Sequence, residues 1–325
     1  MNAWLRIRLL ALAVFAVHAG LAGAADPYPS KAIRWVVPWP AGGVADTQAR
    51  IMAEQLAKVL GQPVLIDNRA GASGTLGADA VARARPDGYT ILYVSPNEQA
   101  IAQAIGMKVP YNAEKDFTPI TQFLRRPTVL VVPSTLNVRS VPELVTLAKT
   151  KGASISYGTP SVAHFNHFVA EMFNRRVGIE VPAVAYKGEA PMLTDLIGGQ
   201  IAYGFGFATT VDPMVKAGRL RALATTGRAR SPQLPDVPTF NELGMPDLEM
   251  HIWTGLAGPA GLPPDIAQRL QSEFSKVLNS AAVKSRREFA DSEIVASTPE
   301  VFRAYLASER ARWLKLVKDT GIAAE

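Results

Sequence analysis

The chain has 325 residues, no cysteine and a formal net charge of +6 at pH 7. The lack of cysteine excludes disulfides, thiolate metal sites and a cysteine nucleophile. The positive residues are scattered in short clusters such as Arg125-Arg126. Such clusters are typical of solvated faces, so we expect no nucleic-acid partner. A mild positive field does favour a negatively charged ligand.

Residues 1–25 have the pattern of a secretory signal peptide. Arg6 and Arg8 precede an apolar run at 9–17, and mostly small residues follow at 19–25. The apolar run is too short for a membrane span, which needs about 20 residues. The sequence therefore predicts Sec-type export with cleavage near residue 25, and a periplasmic location in which a large core replaces disulfides.

The residues that follow alternate between short apolar runs and helical stretches. Strands are predicted at Ile33–Val37 and 64–67, with a helix at 46–60 between them. A further helix ends near residue 84, and a third strand covers 90–95. This alternation predicts a parallel sheet with helices on both faces.

Two glycine-rich loops precede the first two of these helices. The first contains Pro-Trp-Pro-Ala-Gly-Gly at 38–43, and the second spans 68–77, where Ser73 and Thr75 add hydroxyl donors. Glycine lets a ligand approach the backbone closely, and the first N–H groups of a helix stabilise an anion. Either loop alone is compatible with an ordinary turn, but the pair predicts a cradle for one carboxylate.

The chain changes character near residues 117–124, and a second set of units follows. Its strands are predicted at 129–132, 155–157, 184–186, 201–205 and 220–225, and its helices at 141–149, 163–173, 190–197 and 211–217. Two long helices close the chain at 265–279 and 299–318, the second with Thr298 as its N-cap. The predicted boundaries are 26–124 and 226–325 for lobe 1, 125–225 for lobe 2, and 124–126 with 225–228 for a hinge. Clefts between two lobes are favoured ligand sites.

Three residues could form a metal site. His164, His167 and Glu171 lie at i, i+3 and i+7, so they share a helix face if that helix forms. This spacing is common by chance, and we expect no metal. An exported metal-dependent hydrolase that uses these side chains stays open as an alternative.

Signatures of catalysis and of cofactor binding are absent from the sequence. Gly71, Gly74 and Gly77 have a spacing that is neither a dinucleotide fingerprint nor a P-loop. The chain has no Gly-x-Ser-x-Gly pattern and no close pair of carboxylates that would suggest acid–base chemistry. We therefore expect neither enzymatic activity nor a cofactor.

A series of segments along the whole mature chain has a familiar order. They lie at 28–31, 36–46, 61–64, 68–74, 86–90, 116–119, 186–188, 216–224 and 234–239. Together they resemble the receptors of tripartite tricarboxylate transporters, the Bug (Bordetella uptake gene) family. The resemblance implies an α/β fold of the periplasmic binding protein class, a two-lobed Venus flytrap of type II-like form with a sheet flanked by helices in each lobe.

The same resemblance implies a function and partners. The ligand would be a small carboxylic acid, held by the loops around Pro40–Asp46 and 68–75, partly through ordered water. The partners would be two integral membrane subunits of a secondary transporter, and we expect a monomer. A sensory co-receptor that takes no part in transport is the other receptor role that the sequence leaves open.

The second lobe departs from the family pattern. Where many members have Gly-Thr-Ser-Gln-His, this chain has Ala-His-Phe-Asn-His at 163–167, and where many have aspartate after the phenylalanine of a late strand, it has Gly206. Because that aspartate would pair with an ammonium group, we expect a ligand without one. Its body would be apolar or aromatic and stack on Phe165, Phe207 or Trp39.

The candidate ligand-binding residues come from both lobes. They are Trp39, Pro40, Ala41, Gly42, Gly43, Asp46, Arg69, Ala72, Ser73, Gly74, Thr75, His164, Phe165, Asn166, His167, Gly206, Phe207 and Thr209. Ligand is expected to dock on lobe 1 first. Contacts from His164, Asn166 and Thr209 would then favour the closed state.

Overall fold

The computed structural model of the protein describes residues 27–162 and 164–322, so the predicted signal peptide lies outside the described residues. The strands are β1 Ile33–Val37, β2 Val64–Asn68, β3 Thr90–Val94, β4 Phe117–Arg126, β5 Val129–Pro133, β6 Tyr157–Thr159, β7 Ala183–Ala185, β8 Tyr203–Gly206, β9 Leu220–Thr225, β10 Ile252–Pro259 and β11 Glu293–Ile294. The α-helices are α1 Val44–Leu60, α2 Thr75–Ala82, α3 Ala102–Ala104, α4 Val141–Lys151, α5 Phe165–Val177, α6 Glu189–Ile197, α7 Ala208–Lys216, α8 Pro264–Asn279, α9 Ala281–Lys284 and α10 Pro299–Thr320. None of the helices in these ranges has the length and apolar character that crossing a membrane requires.

The first sheet has six strands in the order β11-β4-β10-β3-β1-β2. Strand β1 pairs in parallel with β2 and β3, as the alternation of strands and helices predicts. Strand β10 is antiparallel to both of its neighbours, β3 and β4. The prediction of a parallel sheet is therefore right for half of the sheet only, because β10 returns from the second sheet and inserts in the opposite direction.

The second sheet has five strands in the order β7-β6-β8-β5-β9. Strand β5 is antiparallel to β8 and β9, whereas β6 is parallel to β7 and β8. The predicted strand at 155–157 lies two residues later, at Tyr157–Thr159. The helix predicted from residue 163 begins at Phe165, because His164 is extended and caps it.

Two chain segments join the sheets side by side. Strand β4 of the first sheet ends at Arg126, and β5 of the second begins at Val129. The Thr128 N–H donates to the Thr226 hydroxyl at 2.9 Å, and the Thr226 N–H donates to the Thr128 carbonyl at 2.9 Å. The outgoing and returning strands are thus hydrogen-bonded where they cross between the sheets.

The segment after β9 packs on the second sheet. Phe240 lies 5.8 Å from Phe173 and 6.2 Å from Phe205, ring centre to ring centre. The sequence predicts that lobe 1 resumes at residue 226, and this prediction does not include the contact of Phe240 with the second sheet. The reason is that apolar side chains such as Phe240 and Met250 bury themselves in the nearest core.

The last helix connects both cores. Thr298 caps α10 as predicted, its hydroxyl accepting from the Val301 N–H at 3.4 Å. Further along, Trp313 is fully buried and packs edge-to-face on Phe168 at 5.0 Å, against the second sheet. Its indole N–H donates to Glu309, which also accepts from the Trp253 indole of the first sheet at 2.8 Å. The sequence places this helix in lobe 1 and does not predict that Trp313 packs against the second sheet.

Candidate functional site

The first glycine-rich loop is folded back on the helix that follows it. Gly42 has a φ of +79°, which favours glycine, and its N–H donates to Asp46 at 2.8 Å. Asp46 also forms an ion pair with Arg50 at 2.9 Å. Burial opposes ionisation of Asp46, but the hydrogen bonds from Arg50 and Gly42 outweigh it and lower its pKa. Asp46 therefore holds the loop in shape with a carboxylate that is already engaged, rather than offering it to a ligand.

The rest of this loop is open. Pro40, Ala41, Gly42 and Gly43 are exposed, and Gly43 precedes α1 in an extended conformation without a side-chain cap. The first N–H groups of α1 have no partner within the helix. The exposed loop and the helix start leave room for the predicted anion cradle, which stays a prediction.

The second loop has an unusual backbone. Four consecutive residues, Gly71 to Gly74, have positive φ angles, of 132°, 45°, 54° and 92°. Ala72 and Ser73 are not glycine, and such residues cost about 1–3 kcal/mol each in this region. Strain of this kind concentrates at ligand-binding sites, so the loop is a candidate for contact with the ligand.

The two loops touch one another. The Asn68 amide donates to the Trp39 carbonyl at 3.1 Å. A Cβ built on Gly74 would lie at ordinary contact distance from Trp39 Cζ2, 3.5 Å, but only 3.2 Å from Glu98 Oε2, so a larger residue would press on Glu98. Two other candidate ligand-binding side chains have partners within lobe 1. The Thr75 hydroxyl donates to the Ala72 carbonyl at 2.8 Å, and Arg69 pairs with Asp67 at 2.8 Å on the surface.

Both loops also reach the second lobe. The Ser73 hydroxyl donates to the Val162 carbonyl at 3.1 Å. The rings of Trp39 and His164 lie 5.7 Å apart and nearly perpendicular. The lobe 1 loops therefore face the start of α5, which the sequence also places in the site.

His164 is a neutral donor at this junction. Its Nδ1 accepts from the Asn166 N–H at 3.1 Å, which places the ring proton on Nε2. Burial, and then the charges of Arg126 and His167, lower its pKa from 6.5 to about 3. His164 thus caps α5 and stays uncharged at neutral pH.

The neighbours of His164 have different surroundings. The Asn166 amide donates to the Phe205 carbonyl at 2.8 Å, while its Oδ1 is buried without a hydrogen-bond partner. Phe165 is fully buried and packs on Trp313, so the expected stacking of ligand on Phe165 is replaced by a core contact. His167 lies beside Tyr157, at 6.1 Å between rings.

The end of β8 shows why aspartate is absent at position 206. A Cβ built on Gly206 would lie 2.7 Å from Val211 Cγ1 and 2.9 Å from Glu189 Oε1. The Glu189 carboxyl lies here instead, accepting from the Phe207 N–H at 2.8 Å and the Thr210 hydroxyl at 2.7 Å. A carboxyl group from α6 thus occupies the space that a side chain at 206 would need.

Gly206→Asp is expected to destabilise the protein by about 1–3 kcal/mol, through overpacking against Val211 and Glu189. Urea unfolding at pH 7 measures the change. Gly198→Asp is the control, because a Cβ there has no neighbour closer than 3.5 Å and φ is −73°. Equal stability of the two variants would contradict the prediction.

Thr209 contributes a contact between the lobes. Its carbonyl accepts from Arg287 at 2.9 Å, and its hydroxyl is buried without a hydrogen-bond partner. Arg287 follows α9, whereas Thr209 lies in α7. Thr209 therefore lies where the lobes meet, a position that is compatible with its predicted contact with the ligand.

Sequence reasoning missed Glu98. Residues Asn97–Ile101 form one π-helical turn after β3, in which Glu98 is fully buried. Its carboxyl accepts from the Ser95 N–H and hydroxyl, and burial raises its pKa from 4.5 to about 8 despite these bonds. The sequence feature that could have identified Glu98 is its position just after the third strand, at the same sheet edge as the two loops.

Sequence reasoning also misread Arg126. The Arg125-Arg126 pair suggests a solvated face, but only Arg125 reaches the surface, near Glu293 at 3.6 Å. Arg126 is 4% exposed, and its guanidinium lies 4.0 Å from the centre of the Phe207 ring. Successive strand residues point to opposite faces, and this alternation could have indicated that one of the two arginines is buried.

The alternative of a metal site at His164, His167 and Glu171 gains no support from the geometry. Throughout 27–162 and 164–322, no three His, Cys, Asp or Glu side chains are grouped so as to hold a metal ion. Glu171 accepts from the Tyr157 hydroxyl, and His164 caps α5. These two side chains therefore have other roles in the fold.

Comparison with known proteins gives a consistent result. A profile described as "Tripartite tricarboxylate transporter family receptor" matches residues 48–322. The chain is 34% identical over 318 residues to protein BugT of Bordetella pertussis, covering 97% of this chain and 98% of that one. The structure of the periplasmic binding protein BugD, 29% identical, superposes with a TM-score of 0.85 and covers 92% of this chain and 100% of its own.

A second solved structure carries a ligand. Rpa4515 from R. palustris with adipate is 33% identical and has a TM-score of 0.86, covering 91% of this chain and 99% of that one. Together, these likenesses and the two observed sheets flanked by helices confirm the predicted two-lobed fold of the periplasmic binding protein class.

Proposed function

We propose, since this chain belongs to the tripartite tricarboxylate transporter receptor family, that it captures a small carboxylate between its lobes and delivers it to the integral membrane subunits of a secondary transporter. The observation that carries the proposal is the pair of loops at 38–43 and 71–74, which touch each other and face His164. Rpa4515, a relative with adipate, supports a carboxylate ligand.

The ligand we propose lacks an ammonium group and has an apolar or aromatic body. Of the aromatic side chains expected to stack on it, Trp39 lies at the lobe junction beside His164. Phe207 is buried but covers Arg126, whereas Phe165 is fully buried against Trp313. The buried cation Arg126 beside Phe207 disfavours a second positive charge. The nearest carboxyl, Glu189, already has hydrogen-bond donors.

Binding proceeds by lobe closure in this proposal. The carboxylate docks on the free N–H groups of the lobe 1 loops, and lobe 2 then contacts it through His164, Asn166 and Thr209. Only interactions that are stronger in the closed state shift the equilibrium toward closure. The hinge that we propose lies near 124–126 and 225–228, beside the two hydrogen bonds that join Thr128 to Thr226.

The same proposal includes the export of the protein and its oligomeric state. Sec-type export with cleavage near residue 25 delivers it to the periplasm, where the receptors of this family act. There it works as a monomer, since a single chain supplies both lobes of the cleft.

Thermal unfolding with a panel of carboxylic acids tests the proposal. An acid at about a hundred times its dissociation constant stabilises the folded state by roughly 2.7 kcal/mol. Amino acids, nucleotides and zinc serve as comparison ligands. A shift with one class of acid supports a carboxylate receptor, whereas a shift with zinc alone contradicts it.

A matched pair of serine variants tests lobe closure. Ser73→Ala removes the hydrogen bond to Val162 across the lobes, which should weaken binding by about 1 kcal/mol, or roughly fivefold. Ser308→Ala removes a similar bond to the Tyr305 carbonyl within α10 and should leave binding unchanged. Calorimetric titration measures both, and equal affinities would count against closure through Ser73.

A further inference from the structure

Arg126 is a buried cation, and two of its guanidinium nitrogens have no hydrogen-bond acceptor among the described residues. It is the last residue of β4, where the chain passes toward the second sheet, and it is 4% exposed. Its Nε and Nη1 atoms have no hydrogen-bond partner, and among the described residues no ion pair within 4.0 Å includes it. By contrast, the adjacent Arg125 lies within 3.6 Å of Glu293.

The groups around Arg126 come from both lobes. The Phe207 ring covers its guanidinium at 4.0 Å, and His164 is close enough for the charge to lower its pKa. Tyr93, Glu189 and Asp291 act on it electrostatically from longer range. The guanidinium therefore lies between β3, the start of α5, the start of α7 and the loop before β11.

The two carboxyl groups nearby neutralise this charge poorly. Glu189 is engaged by the Phe207 N–H and the Thr210 hydroxyl. Burial raises the pKa of Glu189 and of Asp291, so both hold a proton more readily than an exposed carboxyl does. An unpaired buried guanidinium is costly, and a bound oxyanion would relieve that cost.

We propose that Arg126 binds a second anionic group of the ligand, at the end remote from the two glycine-rich loops. This deepens the proposed function and rests on it, since the first carboxylate is held by those loops. The planar fork of an arginine matches the two oxygens of a carboxylate, and Phe207 fixes the plane of the fork. Arg126 is then the residue that makes the receptor prefer a dicarboxylate to a monocarboxylate of the same length.

Paired acids test this preference in the unmodified protein. Adipate with hexanoate, terephthalate with benzoate, and succinate with butyrate differ by one carboxylate each. Calorimetric titration should show that a diacid binds at least about 30-fold more tightly than its monoacid, the lower range for a buried charge pair. If a monoacid binds as tightly as its diacid, the role of Arg126 is overturned while the receptor function stands. If none of the six acids binds, both proposals are overturned.

Variants locate the effect. Arg126→Gln should lower the affinity for the diacid at least about 30-fold and change that for the monoacid less than threefold. Arg125→Gln, on the surface, should change neither. Arg126→Lys keeps the positive charge but not the planar fork, and it replaces the glutamine variant if that variant unfolds. We expect Arg126→Lys to bind the diacid at least tenfold more weakly than the wild type. Retention of the full preference by either Arg126 variant would overturn the proposal.

Asp291 provides the competing explanation. If its carboxylate is the real partner of Arg126, Asp291→Asn should destabilise the protein as much as Arg126→Gln, and neither should alter the ratio of diacid to monoacid affinity. We expect the opposite. Asp291→Asn should keep the ratio, and Arg126→Gln should abolish it.

Discussion

Replacement of Trp313 by alanine should lower the free energy of unfolding by about 3–5 kcal/mol, the range for a buried tryptophan. Trp313 is fully buried, packs on Phe165 and Phe168, and is the point where α10 joins the second sheet. Its loss also removes one of the indole donors to the buried Glu309 carboxyl. Denaturant unfolding measures the change.

The neighbouring residue is a matched control. Leu314 lies on the same helix but is 59% exposed, so Leu314→Ala should change stability by less than about 0.5 kcal/mol. A loss below about 1 kcal/mol for Trp313→Ala would show that α10 does not depend on this contact. In that case the helix would belong to lobe 1 alone, as the sequence suggested.

Glu98→Gln should change how stability depends on pH. Folding raises the pKa of Glu98 from 4.5 to about 8, so the folded protein binds a proton that the unfolded chain has lost. The stability that this proton provides is complete below pH 4.5 and is lost as pH rises to 8. The shift corresponds to roughly 4–5 kcal/mol at most. Glutamine keeps the hydrogen bonds to Ser95 without titrating.

Unfolding at pH 5 and pH 8.5 provides the measurement. The wild-type protein should lose several kcal/mol more than Glu98→Gln between these values. His164, whose lowered pKa removes stability as pH falls from 6.5 toward 3, is present in both proteins and cancels in the difference. Exposed Glu114→Gln should behave like the wild type. Parallel pH profiles for Glu98→Gln and the wild type would refute the prediction.

The protonation of Glu98 also bears on the proposed site. Its Oε2 lies 3.2 Å from where a Cβ of Gly74 would be, directly beneath the strained loop. A charged carboxylate there would repel an anionic ligand, whereas a protonated one does not. Burial thus makes the base of the loop compatible with a carboxylate at neutral pH.

The sequence by itself determined the local features of this protein. The loops at 38–43 and 68–77, the cap at Thr298 and the alternation of strands and helices follow from residues that are close together in the chain. Glycine, proline and capping residues act on the backbone within a few positions. The resemblance to one family depends on the same local segments.

Only the tertiary structure decided which side chains are buried and what they meet. Phe165 enters the core because α10 brings Trp313 over it, and Arg126 is covered by Phe207, which follows the last residue of β8. Glu98 is buried by a π-helical turn that no local pattern announces. Burial and charge pairing depend on partners that are distant in sequence, so these roles emerge only when the two sheets come together.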